Sequence, residues 1–272
     1  MPELPEVETV RRSLVARLQG RRILWVDSSE TPLRQGVEVG RWRACVGAHL
    51  ADITRRGKYL IFALGDWAAV LHLGMSGRLL VRPSGAAAGP HTHLRIGFAG
   101  GWELHFVDPR RFGVAVLLEA RERTTWPPLA QLGVDALHGD LEAALASLAG
   151  SRAPIRNALL DQHCIAGLGN IYANEALARA GIRPTLPAGR LSPARRARLA
   201  GAIRATLADA LAAGGTTLAD GGFVDADGEG GYFAVALAVY GREGQPCRRC
   251  GRAIRRTVVA GRSAYYCPRC QR

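Results

Sequence analysis

The chain has 272 residues, 48% of them hydrophobic, which is enough for two domains with cores of their own. Its 36 Lys+Arg against 23 Asp+Glu leave a formal charge of +13, which calls for a polyanionic partner, nucleic acid or an acidic membrane surface. No stretch is long and apolar enough to span a bilayer, and the N-terminus lacks a basic segment followed by an apolar run, so membrane and secretory classes fall away and nucleic acid stays.

The opening MPELPEVETV reads as a helix start. Pro5 suits a first helical position, and Glu3, Glu6 and Glu8 favour the positive end of a helix dipole. Val7, Val10, Leu14 and Leu18 recur at helical spacing until Gly20 supplies a stop. Pro2 is left outside the helix, unexplained by helix grammar.

Residues 22 to about 120 read as short strands with glycine turns: RILWV, KYLIFAL, AAVLHL, RLLVRP, then HLRIGFAGGWELHFV turned at Gly100-Gly101. This pattern predicts a β-sandwich or barrel. Lys58 is the only lysine among the 36 basic residues, which marks a place where a compact ammonium is needed. In HLGMSG, Met75 stands on a glycine-rich turn, and His72 reads equally as a phosphate donor or a satisfied core histidine. In VDPRRFG, Phe112 and Arg110 read as core plus solvated charge, or as a wedge between base steps with a donor for an exposed base edge.

RERTTWPPLAQLG, with Pro127-Pro128, is the natural linker, and beyond it the pattern turns helical. The expected boundaries are 1–125 for the strand domain, 126–135 for the linker, 136–238 for a helical domain and 239–272 for a terminal module. Gly167, Gly169 and Asn170 fall between two helices, where Asn170 caps the second and its free N–H groups suit a phosphate. The last stretch, Arg242 to Arg272, holds nine arginines and one acid. It also holds Cys247, Cys250, Cys267 and Cys270 as C-x2-C-x16-C-x2-C, a zinc spacing, with two disulfides as the alternative. Cys45 and Cys164 read as buried small apolar residues.

Together these residues resemble the formamidopyrimidine-DNA glycosylases, bacterial base-excision enzymes for oxidised purines. PELPEVETVRR, RRGKYLIF, HLGMSGRL, DPRRFG, LLDQ, GLGNIYANEAL, GGTTL, DGEGGYF, VYGREGQPC and YCPRCQR carry the resemblance in order along most of the chain. An endonuclease VIII-like enzyme for oxidised pyrimidines is the sister alternative; it typically has glycine where Leu4 stands. A DNA-binding module without catalysis is the rival from another class.

The resemblance implies an α+β fold, with an N-terminal β-sandwich and flanking helices, then a helix–two-turn–helix domain and a four-cysteine zinc finger. It implies that Met1 is removed and that the Pro2 amine attacks the sugar C1′. Glu3 would be the general acid/base, Glu6 a supporting carboxylate, and Lys58 a phosphate contact and proton donor. Arg262 would support the lyase step and hold a phosphate. DNA contacts are expected from His72, Met75, His91, Arg110, Phe112, Arg156, Asn170 and Arg262. One structural zinc is expected on the four cysteines, with duplex DNA containing oxidised bases as partner, a monomeric state and a cytoplasmic location at the nucleoid. The chain departs from the family pattern where Gly221 and Gly222 intervene before Phe223, and where Arg156 stands in place of a lysine.

Overall fold

The structure, a computed structural model, describes residues 1–29, 33, 37–217 and 223–272. The chain divides into two compact units, Met1–Ala130 with Ala213–Tyr232, and Gln131–Ala212 with Phe233–Arg272.

Helix α1, Leu4–Leu18, opens the first unit. Pro5 is in its first turn, and Leu4, Val7, Val10, Leu14 and Leu18 are all at most 1% exposed, so the apolar stripe seen in the sequence is the buried face. Eight strands follow: β1 (Ile23–Ser28), β2 (Asp52–Arg56), β3 (Tyr59–Leu64), β4 (Trp67–His72), β5 (Arg78–Pro83), β6 (Thr92–Phe98), β7 (Trp102–Val107) and β8 (Val114–Glu119). A short helix, α2 (Val39–Trp42), lies between β1 and β2.

The strands form two antiparallel sheets, β1-β6-β7-β5 and β2-β3-β4-β8. Leu60, Phe62, Leu71 and Leu117 of one sheet share a core with Leu94, Ile96, Leu104 and Phe106 of the other. Each such side chain contributes roughly 1.5–3 kcal/mol by leaving water, so the sandwich is the mechanical base of this unit. Register pairs Phe98 with Trp102, which places Gly100 and Gly101, at φ +88° and +79°, in the predicted turn.

The division of the chain differs from the sequence-based boundaries in two places. Pro127–Ala130 is a turn of helix, α3, that belongs to the first unit rather than to a free linker. Residues 213–232 return to that unit, with Phe223 and Ala226 in its core. The Gly221-Gly222 insertion lies outside the described residues.

The second unit contains α4 (Leu141–Ala146), α5 (Ile155–Leu160), α6 (Asn170–Ala180) and α7 (Pro193–Ala212), with the two-residue strands β9 (Val134–Asp135) and β10 (Ile165–Ala166). Between α5 and α6 the Gln162 amide donates to the Leu160 and Leu168 carbonyls and accepts from Gly167 N–H, which closes the two turns on themselves. Strands β11 (Arg255–Val259) and β12 (Arg262–Tyr266) form the hairpin of the cysteine module.

Candidate active site and nucleic-acid interface

Pro2 is buried at the start of α1, while Met1 before it is 47% exposed. Glu3 and Glu6 are both 2% exposed. Glu6 uses its two oxygens separately: Oε2 accepts Glu3 N–H at 2.8 Å, and Oε1 accepts Thr216 N–H at 2.8 Å. A carboxylate that accepts two backbone donors is fixed in place, so Glu6 sets the backbone next to Pro2 and ties it to residues 215–217. Gly215, at φ +88°, is needed there, because a Cβ would lie 3.0 Å from Glu6 Oε1. Thr217 Oγ1 donates to the Phe223 carbonyl and accepts Gly231 N–H.

Lys58 is on the two-residue turn between β2 and β3, not on a strand, because Arg56 pairs with Tyr59 and Gly57 takes φ +57°. It is nevertheless only 7% exposed. His72 pairs with Tyr59 across β3 and β4, and the two rings lie 4.7 Å apart. Its Nδ1 accepts Gly74 N–H at 3.0 Å, so Nε2 carries the proton and is the ring's remaining donor. Burial, and after it the Lys58 charge, push the His72 pKa down to about 4. The ring is therefore neutral near pH 7, packed, with Nε2–H as its donor.

Met75 and Phe112 are each 40% exposed, and Arg110 lies 5.2 Å over the Phe112 ring. Their loops touch backbone to backbone. A Cβ on Gly74 would sit 2.5 Å from the Phe112 carbonyl carbon, so only glycine permits the approach. Asp108, fully buried, joins the loops: Oδ1 accepts from the Ser76 hydroxyl at 2.5 Å and Oδ2 from Gly113 N–H at 2.7 Å. Its backbone N–H donates to the carbonyl of His91, an exposed residue at φ +62°. Asp108 and Ser76 were passed over in the sequence; an Asp-Pro step at a strand end is the signal that could have found them. The result is two exposed apolar side chains, Met75 and Phe112, on loops joined through Asp108.

In the second unit, Asn170 begins α6. Its Oδ1 accepts from Arg156 Nη2 at 2.5 Å and from Asn174 Nδ2 at 3.1 Å, which turns its own NH2 away from both. Arg156 departs from the expectation of a phosphate contact. It has no exposed surface, and its guanidinium donates to the carbonyls of Val259 at 3.0 Å and Ser263 at 3.1 Å. It acts as a strut between the start of α6 and the β11–β12 hairpin. That hairpin turns at Ala260-Gly261, with φ +46° and +73°, and exposes Arg262 just after the turn. Burial, then the nearby Arg262 charge, hold the Arg156 pKa below its ordinary value.

Cys247, Cys250, Cys267 and Cys270 bring their Sγ atoms within 4.8 Å of one another, with Cys247–Cys270 at 4.0 Å and Cys250–Cys267 at 3.5 Å. A zinc tetrahedron with Zn–S of about 2.3 Å has sulfur–sulfur edges of about 3.8 Å, so the cluster fits that ion. Backbone N–H groups of Arg249 and Cys270 point at Cys247 Sγ and Cys267 Sγ, as suits thiolates. A tetrahedral ion on these four sulfurs would have no position left for chemistry.

Comparison with known proteins agrees with this geometry. Residues 1–115 match the formamidopyrimidine-DNA glycosylase N-terminal domain, 132–221 its H2TH domain, and 244–272 the zinc finger found in FPG and IleRS. The formamidopyrimidine-DNA glycosylase of Alkalilimnicola ehrlichii is 46% identical, and that of Acidiphilium cryptum 47%, each with both chains covered completely. The crystal structure of the MutM (Fpg) protein from Thermus thermophilus superposes with a TM-score of 0.88 at 41% identity, covering 99% of this chain and 98% of that one. The Lactococcus lactis Fpg, in complex with DNA containing an abasic site, gives a TM-score of 0.90 at 33% identity with both chains fully covered.

Proposed function

The chain belongs to the formamidopyrimidine-DNA glycosylase family, and from that premise we propose the roles its residues take. Members are DNA glycosylases for oxidised bases with abasic-site lyase activity, and the chain is such an enzyme. Neither the pyrimidine-specific sister nor a non-catalytic binder is favoured. The observation that carries the assignment of roles is the helix start, where Pro2, Glu3 and Glu6 are buried together.

Removal of the exposed Met1 makes Pro2 a secondary amine. An α-amino group has a pKa of about 7.7–8.0, so much of it is neutral at working pH; a helix N-terminus disfavours its charged form, while Glu3 and Glu6 push the other way. The nitrogen attacks C1′, the bond to the base breaks, and the base leaves with a proton. The C1′–O4′ bond then opens, with O4′ taking a proton from Glu3, and leaves an iminium; that cation draws electrons from the adjacent C2′–H, so loss of that proton expels the 3′ phosphate. Glu3 serves the sugar ring oxygen, Glu6 holds the backbone, and Lys58 contacts phosphate and delivers a proton. A duplex carrying one 8-oxoguanine should release the base and be cut at that site; an intact strand with the base retained would overturn the reading.

Met75, Arg110 and Phe112 fill the gap left by an everted base, with Arg110 at the orphaned partner. Flipping costs a few kcal/mol, and the fillers offset part of it. Phe112→Ala should therefore slow excision from duplex DNA roughly 10-fold or more, and excision from a single strand far less, since only the duplex must be unstacked. Equal losses on both substrates would make Phe112 a packing residue.

Asn170 and Arg262 hold phosphates, with His72 and His91 as further donors, and Arg156 supports the first pair without touching DNA. Binding should fall with salt at a log–log slope of about −0.9 per phosphate contacted, and Arg262→Ala should make it shallower by about one unit. An unchanged slope would remove Arg262 from the DNA. The four cysteines hold one zinc ion, which fixes the hairpin carrying Arg262. No helix among the described residues is long and apolar enough to cross a membrane. The enzyme acts as a monomer on duplex DNA in the cytoplasm.

A further inference from the structure

Pro2 and Lys58 are on separate elements, the start of α1 and the β2–β3 turn, yet reaction at one sugar needs them in fixed relation. A line of buried side chains joins those elements. Glu8, on α1, is 6% exposed. Its Oε2 accepts from Arg55 Nε at 3.1 Å, and the Arg55 side chain is 2% exposed. The same guanidinium donates through Nη1 to the Gly57 carbonyl at 2.8 Å. That carbonyl belongs to the peptide unit whose nitrogen is that of Lys58. We propose that Glu8 and Arg55 are positioning residues that lock the Lys58 turn to the helix carrying Pro2. The inference rests on the roles given to Pro2 and Lys58 above.

Simple charge neutralisation does not account for this arrangement. Arg11 already forks onto both Glu8 oxygens at 3.0 and 2.8 Å, and Arg12 adds a third contact at 3.1 Å. Glu8 has cations enough on its own helix, and Arg11 also donates to the Ile53 carbonyl of β2 at 3.1 Å, while Arg55, itself on β2, is the cation that joins Glu8 to the turn. Burial alone would raise the Glu8 pKa, but the Arg11, Arg12 and Arg55 contacts outweigh it and lower it, so the anchor stays ionised. Arg55 splits its planar fork between a carboxylate and a carbonyl, a geometry that lysine cannot copy.

The test compares Glu8→Gln, Arg55→Lys, Lys58→Ala and the Glu8→Gln/Lys58→Ala double variant, each with Met1 removed. The readout is the single-turnover rate of borohydride trapping on a duplex with an abasic site, alongside affinity for that duplex and thermal melting. Misplacing a catalytic group by about 1 Å can cost on the order of 100-fold, so Glu8→Gln and Arg55→Lys should each slow trapping roughly 10- to 100-fold while affinity stays within about threefold. In the Lys58→Ala background, Glu8→Gln should add less than about twofold, because no lysine is left to misplace. Multiplying losses would overturn the proposal and leave the role of Lys58 intact. An unchanged rate in Lys58→Ala would overturn that role and the proposal with it. If Glu8→Gln does not fold, Arg55→Lys, which keeps the buried charge, decides by the same criteria in the same Lys58→Ala background.

Discussion

Borohydride reduction during reaction with an abasic-site duplex is expected to leave DNA attached to the peptide that begins at Pro2, and to no other. An imine needs an amine, and arginine is effectively never deprotonated. Lys58 is the only lysine, so the processed chain offers two candidates. Pro2 is favoured because its secondary amine forms an iminium that stays cationic, and because the first turn of α1 disfavours its protonated form. Glu6 adds a structural reason, since it fixes the Glu3 N–H one peptide away from the reacting nitrogen. Retained Met1, or any residue added before Pro2, should reduce trapping on the order of 10⁴-fold or more, the scale of losing a nucleophile. Lys58→Ala should slow trapping and still permit it. Peptide mapping by mass spectrometry reads the outcome directly, and a label on Lys58 would exchange the two roles.

The parts of this molecule that were legible in the sequence are those written in short-range pattern. The α1 stripe of Val7, Val10, Leu14 and Leu18 follows from helical spacing, and the Gly100-Gly101 turn from two residues that tolerate positive φ. The cysteine spacing likewise predicts the cluster, because each C-x2-C pair closes on one tight turn. What was hidden depends on partners far along the chain. Arg156 was expected on a DNA phosphate, but its guanidinium donates to carbonyls 103 and 107 residues away. The Thr216 N–H is claimed by Glu6, 210 residues earlier. Asp108 could be recognised as a turn residue, while its grip on Ser76, 32 residues away, could not. Lys58 stood out only by count, and its burial on a turn needed the register of β2 against β3.

Loss of the metal is expected to abolish DNA binding while the first unit stays folded. The apolar core beside the cysteines consists of Ala178, Val239, Cys247, Ile254 and Cys267, too few to hold a hairpin without a staple. Structural zinc supplies roughly 10–16 kcal/mol of apparent binding energy in isolated finger peptides, so the ion and the fold are one equilibrium. Without it, the four sulfurs take up protons, nothing ties the two C-x2-C turns together, and the β11–β12 hairpin loses its base. The loss then spreads along identifiable bonds. Arg156 needs the Val259 and Ser263 carbonyls of that hairpin, and Asn170 needs Arg156 to orient its amide, so both proposed phosphate donors, Asn170 and Arg262, are misplaced at once. Cys267→Ser should therefore weaken duplex binding by 100-fold or more, about 2.7 kcal/mol. The sandwich has its own core, from Val7 to Phe223 and Ala226, and should keep its thermal transition. Metal analysis of the wild-type chain should return one zinc per molecule, and full DNA affinity in chelated, metal-free protein would remove the ion from this account.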